Sequence, residues 1–366
     1  MATVRPFRAL RYDEAKAGPL EDLIAPPYDV ISDAERRAYL ARSPYNVVHL
    51  TLADTEEQAG RDFRAWQEKG VLRREEEPSF WWLAQDYVGP DGVARTREGL
   101  VASLRVEPYE NRVILPHERT HAGPKEGRLR LLREVRAQLE PLFFLYPGSL
   151  EAGHAGEPDV EATEGGVTSR LWRVRDESLV DRLADAQLLI ADGHHRYETA
   201  LAFHEEDGSE ESAWLPAVVV PTAQAGLTIF PTHRVFRANP KPSFFQLGHE
   251  WRDDPREALE ELRRTPYDRP AVVIYENGRT ELAVGSQSEL DVEMVDRLGH
   301  EGIEYTPSWE DAVSRVDSGR AAAAFLLRPT RIEDVWEVAG RGDVMPQKST
   351  FFYPKLTSGL LLHPLD

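Results

Sequence analysis

QLLIADGHHRYETALAFHEE, residues 187–206, passes from an apolar run into Asp192, Gly193, His194, His195 and Arg196, and then into spaced apolar positions. Ala186 to Ala191 reads as the end of a buried strand. Tyr197, Leu201 and Phe203 continue in a helical pattern, so the stretch predicts strand, tight turn and helix. Asp192 can cap that helix, and Gly193 permits the sharp turn into it. The free N–H groups of a first helical turn, with the positive end of its dipole, favour a phosphate. Arg196 can grip such a group, and His194 or His195 can move a proton or stabilise charge. A plainer account makes Asp192 an ordinary cap and the histidines partly exposed first-turn residues. Adjacent histidines point about 100° apart on a helix, so the pair is not read as one metal site.

Working outward, Pro26 to Ile31 reads as a rigid extended loop, with Ser32 capping a helix over DAERRAYLARS. Residues 46–52 (NVVHLTL) alternate and are rich in branched side chains, which predicts a strand, and 56–70 predicts an amphipathic helix stopping at Gly70. Residues 79–88 and 93–106, joined by Gly-Pro-Asp-Gly, predict a β-hairpin. Leu129, Leu132, Val135 and Leu139 predict a helix starting soon after Pro124, while 142–146 (LFFLY) and 171–174 (LWRV) predict strands. The intervening residues 148–166 read as an exposed excursion. The proline-bearing stretch RANPKPS at 237–243 divides a region 1–236 from a region 237–366, in which helices and strands again interleave. Mixed α/β layers, with a smaller C-terminal α/β domain, are the expected architecture.

Composition narrows the chemistry. The chain has 366 residues and no cysteine, which excludes disulfides, thiolate metal sites and cysteine nucleophiles and suits a reducing, cytoplasmic interior. No segment has signal-peptide or membrane-spanning character, so a soluble protein is expected. Lys and Arg number 44 against 63 Asp and Glu, a net charge of -19 that repels phosphate backbones and argues against nucleic acid as a partner.

Against that background, residues 112–136 invert the local sign, with Arg112, Arg119, Lys125, Arg128, Arg130, Arg133 and Arg136 against Glu118, Glu126 and Glu134. Such an island suits a small anionic metabolite; the plainer account pairs these arginines with surface carboxylates. His117, Glu118 and His121 spell H-E-x-x-H, but Pro116 and Gly123-Pro124 bracket it too tightly for a zinc-protease helix, so it is read as a loop. GDVMPQKS at 342–349 approaches a P-loop, yet Gln347 replaces its second glycine. A structural strand is the expected role of this tail, although Lys348, Ser349, Thr350 and Lys355 would meet the basic site if the tail folded back.

PPYDV at 26–30, HERT at 117–120 with Lys125 and Arg128, ADGHHRY at 191–197, and PQKSTFFYPKL at 346–356 together resemble the DUF 1015 family. ADGHHR also resembles the DGHHR signature of ParB-like and sulfiredoxin-like folds, including archaeal free-serine kinases, which implies a ParB/sulfiredoxin-like core. Carried over by motif, the second resemblance places Asp192, Gly193, His194, His195 and Arg196 at nucleotide phosphates, with Asp192 toward Mg²⁺. No motif match places the acid acting on the hydroxyl; Glu118 is the first candidate and Asp29 the second. His117, Thr120, Lys125, Arg128 and Lys348 are further candidates for the phosphate, and Arg112 or Arg128 for a substrate carboxylate.

The expected function is phosphoryl transfer to or from a small hydroxyl metabolite, L-serine or O-phosphoserine, with a nucleotide or pyrophosphate as donor and homo-oligomers compatible with the sequence. The competing expectation is a ParB-like nucleotide-binding regulatory or interaction protein without catalysis.

Overall fold

The computed structural model describes all residues except 119–121, 155, 239, 241–250, 253 and 286–288; for 122–124 and 251–252 it describes the backbone alone. The chain forms two compact units, one made of Met1–Leu227 with Pro354–Asp366 and the other of Thr228–Tyr353. The breaks thus fall at Leu227 and Tyr353, where the sequence alone points to 237–243.

The first unit is built on a nine-stranded mixed sheet. Its strands are β1 (Val4–Arg5), β2 (Phe80–Val88), β3 (Ala94–Arg105), β4 (Ile114–Leu115), β5 (Leu142–Tyr146), β6 (Val160–Glu164), β7 (Val167–Val174), β8 (Leu188–Asp192) and β9 (Trp214–Pro221). They lie in the order β4-β8-β5-β9-β3-β2-β7-β6, with β1 also on β3. The helices that concern the site are α1 (Asp33–Arg42), α2 (Glu56–Glu68), α3 (Ala122–Val135) and α4 (His194–Asp207).

Alternation along the strands sorts the two faces. Leu100, Ala102 and Leu104 of β3 join Leu142, Phe144, Ile190 and Leu188 in one core, which also takes Tyr197 and Ala200 of α4. The opposite face presents Leu83, Val101, Pro216 and Val218, which line a pocket with Leu356, Leu360 and Leu361 of the C-terminal segment. Ser103 on this face bonds His363 (2.8 Å).

The hairpin of β2 and β3 forms as the sequence predicts, in register from Trp81–Val101 to Val88–Ala94. Ser32 caps α1 in a reciprocal box with Glu35. Other expectations fail: residues 148–166, read as an exposed excursion, carry strand β6 and the buried Leu150, Ala152, Val160 and Ala162. Val48–Thr51 is helical, because the Asn46 side chain caps Val48 N–H (3.0 Å) and donates to the carbonyls of Asp22 (2.8 Å) and Ile24 (3.2 Å), so local capping outweighs branched-residue preference. Tyr28–Val30 is a 3₁₀ turn following Pro27, not an extended run.

The second unit is a smaller α/β body. Its six-stranded sheet runs Trp251–Arg252, Arg279–Val284, Ala271–Glu276, Ala323–Leu326, His233–Phe236, Ile303–Thr306. Leu259, Leu262, Val273 and Leu326 lie in its core. Among the described residues no helix is long and apolar enough to cross a membrane.

Candidate functional site

β8 runs parallel to β4 and antiparallel to β5. The C-terminal ends of β4 and β8 therefore meet the N-terminal end of β5, which brings His117, Asp192 and the Glu140-Pro141 pair to one end of the sheet. The register of β8 on β5 shifts between Ile190 and Asp192, so that Asp192 sits opposite Phe143. Gly193 then takes φ +99°, a conformation L side chains avoid, and a Cβ there would lie 3.2 Å from both the Arg196 guanidinium and Leu142. Strand, turn and helix follow as the sequence predicts.

Asp192 does not cap α4, which has no side-chain cap. Its oxygens go elsewhere: Oδ2 accepts from Arg196 (2.8 Å) and Oδ1 from Lys355. The Arg196 and Asp192 side chains are only 8% and 12% exposed. Burial alone would raise the Asp192 pKa, but Lys355 and Arg196 outweigh it and hold the carboxyl below the usual carboxylate range. Arg196 also donates to the Pro141 carbonyl (2.6 Å). Burial works against its charge, yet the surrounding Glu140, Asp192 and Asp29 keep it firmly protonated.

Two imidazoles join the turn to the segment before α3. The His117 backbone N–H donates to His194 Nε2 (3.3 Å), which places the His194 proton on Nδ1. His117 Nδ1 donates to the Ile190 carbonyl (2.7 Å), and the two rings meet edge-on at 4.7 Å. Burial pushes His117 down to about 4, and burial with the neighbouring His117 takes His194 well below the ordinary imidazole value. Both are neutral at pH 7. His195 is half-buried, and its carbonyl accepts from Thr199 Oγ1 (2.7 Å).

Arg128, from α3, reaches the same neighbourhood. Its guanidinium lies 3.9 Å over the Tyr28 ring and donates to the Thr51 carbonyl (2.7 Å). Tyr28 N–H donates to the buried Glu140 (2.9 Å), which also accepts from Ser358 (3.0 Å). Arg128, Glu140, Arg196 and Thr199 line one pocket with Leu131 and Leu132. The exposed Asp29 follows Tyr28 and acts electrostatically on Arg196.

The structure thus brings together Asp29, His117, Arg128, Asp192, Gly193, His194, His195 and Arg196, with Glu118 half-buried beside His117. Other candidates lie elsewhere. Arg112 is exposed in a left-handed turn at the opposite end of β4, where its carbonyl accepts from Gln187 (2.7 Å), so it cannot serve this end of the sheet. Lys125 pairs with Glu198 (3.3 Å), Arg130 with Glu56 (3.0 Å), Arg133 with Glu206 (2.8 Å) and Arg136 with Asp207 (2.7 Å), so carboxylates answer most of the basic island. Thr120, with Arg119 and His121, lies outside the described residues. Lys348 is exposed in the second unit, at φ +56°. Glu140 and Tyr28 are participants that sequence spacing did not single out, because only the chain fold joins them.

The residues present do not form a ready-made cage for a divalent ion. Asp192 has both oxygens engaged by cations, and no group of three or more metal-ligating side chains occurs among the described residues.

No curated protein matches the chain. Among solved structures it is similar to a free serine kinase in complex with AMP, at 17% identity and a TM-score of 0.40, over 66% of this chain and 83% of that one. It is similar to a conserved hypothetical protein from Pyrococcus furiosus, at 17% and 0.37, over 67% and 89%. It is also similar to SbnI with C-terminal truncation from Staphylococcus aureus, at 12% and 0.41, over 71% and 87%. Likeness at this level carries no statement about activity. The sequence model described as "Protein of unknown function (DUF1015)" matches residues 4–298, and the chain belongs to that family.

Proposed function

We propose that the turn between β8 and α4 binds the phosphate of a nucleotide or small metabolite, and that the protein moves a phosphoryl group to or from a small hydroxyl compound. L-serine and O-phosphoserine are the first candidates, on the strength of the motif at residues 191–197. The observation that carries this reading is the gathering of Arg196, Lys355 and Arg128 around the uncapped first turn of α4, in a chain with a net charge of -19.

A phosphate at this turn would take the N–H groups of His194, His195 and Arg196 and compete with Asp192 for its two cations. In the kinase direction the substrate hydroxyl attacks phosphorus, the bond to the donor's leaving oxygen breaks, and the hydroxyl proton passes to Glu118 or Asp29. Neutral His117 and His194 position the turn, and half-buried His195 is left to stabilise the transferring group. A cysteine-free chain of this kind suits a cytoplasmic metabolic enzyme.

The test follows label exchange when the protein is given L-serine with ATP, ADP, pyrophosphate or polyphosphate, and separately O-phosphoserine. Exchange with at least one pair is expected. His195→Ala should lower it by about 100-fold with Tm shifted by only a few degrees. The pairing of both Asp192 oxygens also favours a second reading, a nucleotide-binding regulator without chemistry. Nucleotide binding without any exchange would select it; no binding at all would end both.

A further inference from the structure

Arg97 of β3 is a buried cation with too few acceptors. The residue is 1% exposed. Its NH2 group donates to the Gln85 side chain, while Nε and NH1 have no acceptor among the described residues. The guanidinium lies 4.5 Å over the ring of Phe143, the residue opposite Asp192 in the sheet register. Asp192 acts on it electrostatically, but both Asp192 oxygens are held by Lys355 and Arg196.

Enclosing a guanidinium with unanswered N–H groups is costly, and a neutral amide does not offset it. The surroundings of Phe143 and Asp192 therefore receive three cationic side chains, Arg97 from farther along β3 with Arg196 and Lys355, against the carboxylates of Asp192 and Glu140. The pocket beneath the C-terminal segment bears on both ends of the arrangement. Its lining includes Pro141, whose carbonyl holds Arg196, and Gln85, the partner of Arg97.

We propose that Arg97 binds the carboxylate of a small amino-acid substrate whose hydroxyl or phosphate is presented to the turn at Asp192–Arg196. The assignment rests on the phosphoryl-transfer reading above and supplies the clamp that Arg112, at the far end of β4, cannot provide. A carboxylate oxygen accepting from Nε or NH1 makes a charge-assisted bond and completes the guanidinium's set of partners. The ligand's carboxylate then supplies the anion that Arg97 lacks, with its ammonium group directed away from the cations.

The experiment measures equilibrium binding of L-serine, of ethanolamine, which lacks the carboxylate, and of inorganic phosphate to the full chain and to Arg97→Met and Arg97→Lys. The wild type should prefer L-serine over ethanolamine by about tenfold to hundredfold. Arg97→Met should abolish that preference and leave phosphate affinity within about twofold, since phosphate is held by the turn. Arg97→Lys retains charge without the planar donor set and should fall between them; it gives the same comparison if Arg97→Met does not fold. Equal serine preference in wild type and variants, or no preference in the wild type, overturns the assignment. An Arg97-dependent serine preference without phosphate binding anywhere supports the clamp and overturns the phosphate site alone.

Discussion

The turn at Asp192–Arg196 and helix α3 are both rich in cations, and they use them in opposite ways. On α3, Arg130 and Arg133 stand 52% and 43% exposed and find carboxylates on α2 and α4. At the turn, Arg196 is enclosed and shares Asp192 with a lysine from the C-terminal segment. A run of arginines in a sequence is therefore not a positive field in space when partners some 70 residues away neutralise it. Positive character persists where burial limits how many partners can approach.

Replacing Arg196 with methionine should give the largest effect. It leaves the enclosed Asp192 with only Lys355 among the partners described, and a loss of about 3–5 kcal/mol in urea unfolding is expected. A loss below about 1 kcal/mol would place the turn in the same class as the surface of α3. Acid comes next. His117 and His194 have depressed pKa values in the fold, while histidines of the unfolded chain protonate near 6.5. Their contribution is complete above about pH 6.5 and declines as pH falls toward 4, by about 1 kcal/mol per histidine at pH 5.5. Asp192, a depressed carboxylate, loses its contribution only at lower pH, so melting curves between pH 7.5 and 5.5 report on the buried imidazoles, these two together with His233 and His363, which burial depresses as well. A flat profile would mean that these imidazoles take up protons as readily in the fold as outside it.

Gly193→Ala should cost about 1–3 kcal/mol, from the left-handed backbone and the close Arg196 and Leu142 atoms. A smaller loss would mean that the turn relaxes. Arg133→Ala should be the mildest, within about 0.5 kcal/mol and without change in phosphate affinity, because its pair with Glu206 is solvated. A clear fall in affinity would restore α3 as part of the binding surface.

Much of the frame was legible in the chain, for local reasons. The β2–β3 hairpin follows from two strand-like runs and a Gly-Pro-Asp-Gly turn, and β8, Gly193 and α4 follow from an apolar run, a glycine and a helical pattern. Ser32 could be recognised as a cap because it stands between a proline-bearing segment and a helix-forming run, and the structure adds its reciprocal partner Glu35. Residues 46–52 misled because Asn46 answers backbone groups of Asp22 and Ile24, which no window along the sequence includes. The site was legible in its motifs and opaque in its wiring. His117 and His194 were visible as chemistry, but their contact depends on the parallel pairing of β4 with β8. Arg112 looked equivalent to Arg128 until the strand direction sent it to the other end. Arg97 has no neighbour in sequence that marks it; its burial comes from the sheet.

The return of Pro354–Asp366 to the first unit has a consequence for biosynthesis. Lys355 pairs with Asp192, His363 stacks on Phe7 at 4.9 Å, and Leu362 exchanges backbone hydrogen bonds with Leu10. The unit that opens at Met1 is closed by residues translated after the whole of Thr228–Tyr353. A nascent chain on the ribosome therefore holds Asp192 without its lysine until those residues emerge, so this turn is completed only after the second unit has been synthesised.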